Sequence, residues 1–242
     1  MPDGTPDIQG FFSVLLTGSS AASFGLEPHP PTLTSKVKAP SPGFIIDPPD
    51  GLLPTQPWAH ALQQDRLRIE RAYDDPAAHC FPTGSPRAMN INDTYFLQTP
   101  GYVVILIERM SYRIIRLSGH HPPDNVRLWQ GDSIGRWEGD TLIVDTTNFN
   151  GKNWLSEPYL THGGEVATYA QHLIERFTPL DAGSVYYEAT IIDPVAYTRP
   201  FTIAYTMRQA PSTLLEVACK EDDQDLPHLK AIKDAARAAG KK

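Results

Sequence analysis

From residue 93 to residue 221 the chain is a series of short segments rich in β-branched and aromatic residues, divided by turn residues. Segments of this kind predict β-strands, and the short turns between them favour antiparallel neighbours. The pattern indicates about eight strands. A sheet of that length usually closes on itself, because closure removes the unpaired edges. The sequence therefore predicts an all-β, mainly antiparallel fold closed into a barrel, which can hold one small ligand.

The most distinctive predicted hairpin lies in the middle of the chain. Ser133 to Trp137 forms one strand, Glu138-Gly139-Asp140 the turn, and Thr141 to Phe149 the other strand. Gly139 can supply the positive φ that a tight hairpin turn requires. Charged residues lie here among large aromatic ones: Arg127, Asp132, Arg136, Glu138, Asp140 and Asp145 beside Trp129, Trp137 and Phe149. Such a set either pairs its charges for structural reasons or lines a cavity with ion pairs.

The N-terminal part differs from the rest in composition. Residues 1–56 are rich in proline and predict an extended arm that wraps the domain surface, with one early strand near Ile8 to Leu16. Residues 57–75 predict a helix, because Trp58, Leu62, Ile69 and Tyr73 recur at helical spacing. Pro76 prevents continuation of that helix.

The C-terminal part predicts the last strands and a final helix. Residues 201–209 and 213–221 are expected to pair as a hairpin, and residues 226–239 to form a helix. The whole chain, residues 1–242, is then one domain with a barrel over residues 93–221. Its expected shape is a lipocalin-like β-barrel with a Pro-rich N-terminal arm and two peripheral helices.

The charge balance argues against some partners. A formal net charge of −7 disfavours nucleic acid and anionic membrane surfaces as main partners. No apolar run reaches the length of a membrane span. Phe11 to Leu26 faintly resembles the apolar part of a signal peptide, but the residues before it include no Lys or Arg. We therefore expect a cytoplasmic protein, or an exported one whose leader has been removed, and a homodimer is compatible with the sequence.

Cofactor and metal motifs are absent from the sequence. It has no GxGxxG after a strand, no P-loop and no GxSxG on a strand-turn-helix, so we expect no cofactor and no α/β-hydrolase. His120 or His121, with His79 or His162, could in principle bind a metal, but HxH and HExxH are missing and we expect no metal site. The two cysteines, Cys80 and Cys219, form either one disulfide or two buried thiols.

Two histidines are the candidates for proton transfer. His172 is the first, because imidazole can donate or accept a proton near neutral pH, and His121 in a Pro-braced loop is the second. Arg176, on the same strand face as His172, is predicted to anchor a carboxylate or stabilise a developing oxyanion. Asp145 or Glu175 is predicted to orient a histidine. The structural alternatives are a buried histidine, an exposed loop histidine and an Arg176 salt bridge.

Aromatic side chains are the candidates for the substrate-binding wall. Tyrosine and tryptophan supply flat apolar surface and suit an aromatic or polycyclic ligand. The alternative for each of them is plain barrel core. The candidates are Trp137, Trp129, Tyr187, Tyr205, Tyr102 and Phe201.

The residues GDSIGRWEGDTLIVDTTNF, 131–149, resemble a block shared by a large group of bacterial proteins, often exported, whose activity is not settled. Matching stretches extend over most of the chain, among them PDIQG (6–10), QTPGYVVILIE (98–108), HPP (121–123), HLIERFT (172–178) and DPVAYTRPF (193–201). The resemblance implies pattern positions at Cys80, His121, Arg127, Trp129, Asp132, Trp137, Glu138, Asp145, His172, Glu175, Arg176 and Cys219. Where the group has a histidine after the second cysteine, this chain has Lys220, which predicts a changed pocket.

Together these features predict a cofactor-independent acid–base enzyme of the lyase, dehydratase, isomerase or cyclase type. Its substrate would be a small apolar molecule, aromatic or terpenoid, held inside the barrel, with the imidazole, guanidinium and carboxylate groups on the inner wall. One alternative is a lipocalin-like protein that only binds a small molecule. Another is a secreted hydrolase that uses a metal-bound water.

Overall fold

The computed structural model describes residues 1, 4–14, 25–28, 42–91, 93–108, 111–158, 162–221 and 223–240. Within these residues nine strands close into a β-barrel with few helices around it, which confirms the predicted all-β, lipocalin-like fold. The described residues form ten strands, of which all except β2 belong to the closed barrel. They are β1 Gly10–Ser13, β2 Ile45–Asp47, β3 Thr94–Thr99, β4 Tyr102–Ile107, β5 Ser111–Arg116, β6 Asp132–Glu138, β7 Thr141–Thr147, β8 His172–Asp181, β9 Ser184–Ile192 and β10 Phe201–Gln209.

The barrel has one parallel strand pair. The order around the barrel is β1-β3-β4-β5-β6-β7-β8-β9-β10, β10 pairs back with β1, and β2 adds to the outer edge of β10. All of these pairs are antiparallel except β5 with β6. Antiparallel neighbours alternate in direction, so a closed ring with an odd number of strands needs a parallel pair.

The strands β5 and β6 also pair over fewer residues than any other two neighbouring strands of six or more residues. Only Ile115 with Ser133 and Arg116 with Ile134 are in register there, whereas the β6–β7 hairpin pairs seven residues on each side. Gly135 of β6 faces inward at this place, and a Cβ on it would lie 2.7 Å from a methyl group of Ile115. We call this short contact between β5 and β6 the seam.

Two short segments of the N-terminal arm pair with barrel strands, β1 with β3 and β10, and β2 with β10. The expected early strand is present as β1, but it lies between β3 and β10, with Phe12 opposite both Thr94 and Gln209. Because β1 covers the edge of β10, the predicted hairpin of residues 201–209 with 213–221 is wrong, and residues 213–221 form no strand. The arm's residues 15–24 and 29–41 lie outside the described residues.

The predicted helix over residues 57–75 is two helices. Helix α1 is Pro57–Arg66, and a 3-10 helix, Ile69–Asp74, follows it because Arg68 is extended (ψ 135°). A second 3-10 helix is Pro76–His79, and the short helix α2 is Arg87–Ile91. The predicted C-terminal helix is confirmed as α3, Asp225–Ala239. Among the described residues, none of the helices combines the length and the apolar character that crossing a membrane requires.

Cys80 and Cys219 form a disulfide, which decides between the two alternatives that the sequence left open. Their Cα atoms are 5.9 Å apart and 139 residues separate them in the chain. The bond attaches the irregular segment before α3 to the 3-10 helix Pro76–His79. A covalent link across so long a stretch restricts the unfolded chain strongly.

Side chains occupy the centre of the barrel. The rings of Phe96, Phe177, Tyr187 and Tyr205 contact one another in sequence, with centroids 4.9 to 5.5 Å apart. These residues belong to one continuous cluster of buried apolar side chains from most of the strands. These rings occupy part of the interior in which a ligand was expected.

Candidate functional site

Strand alternation separates an inner from an outer set of polar residues. On β7, Val144 and Thr146 are buried in the interior and Asp145 between them faces outward. On β8, Leu173 and Glu175 face inward, so His172 faces outward. The predicted grouping of imidazole, guanidinium and carboxylate on the inner wall is thus wrong for Asp145 and His172, because both lie on the opposite face of their strands from the core.

Five outward-facing side chains form a continuous chain of hydrogen bonds, which we call the outer chain. Arg116 donates to Asp132 Oδ2 at 2.8 Å, and Nδ1 of His121 contacts the same oxygen at 2.8 Å. Nε2 of His121 contacts Asp145 Oδ1 at 3.2 Å, and Nε2 of His172 contacts that oxygen at 3.0 Å. The structure thus brings together three predicted site residues, His121, Asp145 and His172.

The imidazole of His121 lies between two carboxylates of the outer chain. A carboxylate only accepts, and both ring nitrogens of His121 face carboxylate oxygens. Each ring nitrogen that carries a hydrogen donates it to the carboxylate that it faces. Asp132 is the least exposed member, and the side chains of His121, Asp145 and His172 are about one-quarter to one-third exposed.

The loop that carries His121 is fixed by one asparagine. Nδ2 of Asn148 donates to the main-chain oxygens of Pro122, Pro123 and Val126 at 3.0 to 3.3 Å. Asn148 follows β7 with a φ of 60°, a left-handed conformation that asparagine tolerates better than most residues. This contact holds the loop against the end of β7, so His121 reaches Asp145 of the same strand.

A groove beside the seam borders the outer chain, and we call it the seam groove. It has a volume of about 480 Å³, within the usual range for a small-molecule site. Arg116 and Asp132 lie on its wall together with the inward-facing Arg113 and Ser133. The remaining wall is largely apolar: Pro82, Tyr102, Tyr112, Ile114, Leu128 and Trp129.

A second cavity, of about 660 Å³, adjoins the seam groove, since Pro82 and Ser111 line both. Its wall includes the Cys80–Cys219 disulfide and Lys220. Lys220 lies beside this cavity rather than in the seam groove.

Inside the barrel a separate polar cluster, the inner network, surrounds Arg113. Its guanidinium donates to both oxygens of Glu175, at 2.8 and 2.5 Å, and to Ser133 and Thr146 at 3.1 and 3.2 Å. Tyr187 donates to Glu175 at 2.8 Å. Burial works against the charge of Arg113, but the attraction of Glu175 outweighs it and raises the pKa of Arg113. Burial and the charge of Glu175 raise the pKa of Tyr187.

The inner network corrects two expectations. Glu175 contacts Arg113 and Tyr187 rather than a histidine, so it does not orient one. Arg176 lies outside on β8, four residues beyond His172, a separation of about 13 Å at the usual rise of a strand. Arg116 rather than Arg176 supplies the guanidinium of the outer chain. Ser133 stands in a Gly-Asp-Ser-Ile-Gly sequence, but it is buried within a strand and does not form a nucleophile elbow.

The predicted aromatic wall separates into three groups. Tyr187, Tyr205 and Phe201 are buried in the core. Tyr102 and Trp129 line the seam groove, where Trp129 stacks on Phe81 with centroids 4.9 Å apart. Trp137 packs against the core and lines a smaller cavity, which shares Tyr102 with the seam groove.

Sequence reasoning gave no catalytic role to Arg113, Arg116 or Asp132, although Asp132 was among the charged residues noted in the central hairpin. A signal was present, because Arg113 and Arg116 stand three apart in a predicted strand and must face opposite sides. Nothing in the sequence placed Asp132 beside His121, because that contact depends on the course of the loop before β6.

Comparisons of the chain with models of protein families, with curated proteins and with solved structures return no match. Among the described residues, no group of three histidine, cysteine, aspartate or glutamate side chains has the arrangement of a metal site. The β-barrel itself is compatible with small-molecule binding and with catalysis.

Proposed function

We propose that this protein is an acid–base enzyme that needs no cofactor and binds a small, largely apolar molecule in the seam groove. The observation that carries the proposal is that one carboxylate, Asp132, both lines the groove and begins a hydrogen-bonded chain to solvent. Elimination, hydration, isomerisation and cyclisation all require such a group, because each moves a proton to or from carbon or oxygen.

Asp132 is the proposed catalytic base. Both of its bonds from Arg116 and His121 are to Oδ2. Oδ1 receives no hydrogen bond from the described residues and takes the substrate proton in the proposed step. Arg116 and His121 fix the carboxylate in one orientation, which spares the reaction the cost of ordering it.

The histidines pass the proton on. A neutral His121 with its hydrogen on Nε2 accepts the proton from Asp132 at Nδ1, and the imidazolium so formed releases its Nε2 hydrogen to Asp145, which passes it to a neutral His172. His172 is about one-third exposed and exchanges protons with water. His121, Asp145 and His172 are therefore positioning and relay residues, a revision of the prediction that His172 and His121 contact the substrate.

The groove supplies the other part of catalysis. Its aromatic and aliphatic wall excludes water from an apolar substrate, which strengthens the interaction of Asp132 with the proton it removes. Arg116, bonded to Asp132 at the same wall, is placed to stabilise negative charge that develops on the substrate.

A nitrobenzisoxazole tests the proposal without knowledge of the natural substrate. A base removes its ring C–H proton, the N–O bond breaks, and a coloured cyanophenolate forms. We expect the protein to open the ring of this probe faster than acetate, a free carboxylate base, opens it at the same concentration. Asp132→Asn is expected to lower the rate by about 10²-fold or more, because it removes the proton acceptor. His121→Gln is expected to cause a smaller loss and His172→Gln the smallest.

Asp140→Asn is the matched control, because Asp140 is an exposed residue of the β6–β7 turn. It should keep the rate of the unmodified protein. A rate no higher than that of acetate, or an Asp132→Asn variant as fast as Asp140→Asn, contradicts the proposal. If the probe still quenches the fluorescence of Trp129 in that case, the protein is a carrier of small molecules and not an enzyme.

A further inference from the structure

The second cavity, of about 660 Å³, is larger than the seam groove, and the proposed reaction does not use it. Its volume is within the usual range for a small-molecule site. The charged side chains of its wall have both signs, Glu108 and Glu221 against Lys220, so the cavity does not select an ionic group. Much of the remaining wall is apolar and suits an apolar part of a ligand: Ala77, Phe81, Pro82, Ile107, Ala218 and the disulfide.

Apolar side chains also form the boundary between the second cavity and the seam groove. Pro82 lines both, and so does Ser111, whose hydroxyl already accepts a hydrogen bond from Gln130. Phe81 belongs to the wall of the second cavity and Trp129 to the wall of the seam groove. Their rings stack with centroids 4.9 Å apart and only 10° between the planes. The stacked rings therefore join the apolar walls of the two cavities.

We propose that the substrate is elongated, with a compact reacting group in the seam groove and an apolar alkyl or isoprenoid chain that extends past Pro82 into the second cavity. The proposal rests on the proposed function and names the substrate class of the same site. Asp132 and Arg116 line the seam groove but not the second cavity, so the reacting group lies in the groove. The second cavity binds the chain and takes no part in the proton transfer.

The length of the ligand chain measures whether the second cavity is used. Each methylene group that moves from water into an apolar site strengthens binding by about fourfold. A ligand confined to the seam groove stops gaining affinity once the groove is full, because further methylene groups remain in water. A ligand that enters the second cavity continues to gain affinity as its chain grows.

Calorimetric titration of the full chain with methyl-, butyl- and octylphenol, substituted at the para position and kept below their solubility limits, tests the proposal. We expect octylphenol to bind about tenfold or more tightly than butylphenol, after allowance for the cost of ordering the chain. Ala218→Trp places a large side chain in the wall of the second cavity. In this variant the gain from butyl to octyl should fall to about twofold or less. Binding of methylphenol should be retained, which shows that the variant is folded.

Ala235→Trp is the matched control, because Ala235 is exposed on α3 and lines neither cavity. It should keep the full gain from butyl to octyl. No gain in the unmodified protein, an unchanged gain in Ala218→Trp, an equal loss in both variants, or no binding at all would each overturn the elongated substrate. A gain that only Ala218→Trp removes, without opening of the nitrobenzisoxazole, overturns the proposed enzyme alone. Opening of that probe without such a gain overturns the elongated substrate alone.

Discussion

Arg113 and Arg116 stand three residues apart on β5 and each pairs with a carboxylate, but on opposite sides of the barrel wall. The Arg113–Glu175 pair is almost completely buried, with side chains 1% and 0% exposed. In the Arg116–Asp132 pair the side chains are 35% and 13% exposed. The inner pair is enclosed by Ser133, Thr146 and Tyr187, whereas the outer pair borders a groove and a chain of histidines.

The two ion pairs differ in burial, and the surroundings of an ion pair decide its role. In a low-dielectric interior, neither member of the inner pair tolerates the loss of its partner, so the pair holds one arrangement of the core. Near solvent the same chemistry contributes little to stability. The inner network therefore belongs to the fold and the outer chain to the proposed reaction.

The largest expected effect comes from breaking the inner pair. Glu175→Gln keeps the shape of the side chain but leaves the charge of Arg113 buried without a counter-charge. We expect the free energy of unfolding to fall by about 3–5 kcal/mol, measured by urea denaturation. Loss of less than about 1 kcal/mol would show that the inner network does not stabilise the barrel.

A double variant, Arg113→Met with Glu175→Leu, is the matched control for that experiment. It removes both charges and replaces them with apolar side chains of similar size. We expect it to be more stable than Glu175→Gln by several kcal/mol, because no unpaired charge remains, although Ser133 and Tyr187 each lose a partner. A double variant as unstable as Glu175→Gln would mean that lost packing, not the unpaired charge, causes the effect.

Glu165 is a buried carboxylate like Glu175, but the hydrogen bonds to its carboxylate come from neutral groups. Its carboxylate receives bonds from Ser156 and Gln63, while Arg66 donates to the main-chain oxygen of Glu165 and not to the carboxylate. Burial raises the pKa of Glu165 to about 7, and the hydrogen bond from Ser156 only partly opposes this. Burial also lowers the pKa of Arg66 to about 10.

Because the pKa of Glu165 is raised in the folded state, we expect the free energy of unfolding to fall as the pH rises. Between the ordinary pKa of 4.5 and the folded pKa of about 7, the folded state holds a proton that the unfolded state has released. Stability from this group is therefore complete below pH 4.5, falls through the window and is lost above pH 7, by about 3 kcal/mol in total. Urea denaturation at several pH values should show Glu165→Gln more stable than the unmodified protein at pH 8. Parallel curves for the two proteins would contradict this account.

The sequence predicted much of the barrel because most strands follow one another as hairpins. The β6–β7 hairpin, for example, depends on local alternation and on Gly139, which has a φ of 57°. The placement of β1 between β3 and β10 could not be predicted, because it joins residues at opposite ends of the chain. No local pattern encodes that pairing.

Only part of the candidate site was predicted from the sequence, again because local patterns do not show how distant segments meet. His121, Asp145 and His172 were identified as candidates from residue type, and they do meet. Their side of the wall was predicted wrongly, because alternation shows which residues share a face but not which face is buried when both carry polar residues. On β8 a glutamate stands on the inner face and a histidine on the outer one.

The smallest expected effect on stability comes from the outer pair. Asp132→Asn removes the partner charge of Arg116, whose side chain is about one-third exposed and is solvated by water instead. We expect the free energy of unfolding to change by about 1 kcal/mol or less in urea denaturation, far less than in Glu175→Gln, although the same variant loses nearly all proton transfer to the probe. A loss of several kcal/mol in Asp132→Asn would remove the distinction between the two pairs. The outer chain would then be a structural ion-pair network, and its lost activity would report damage to the fold rather than the loss of a base.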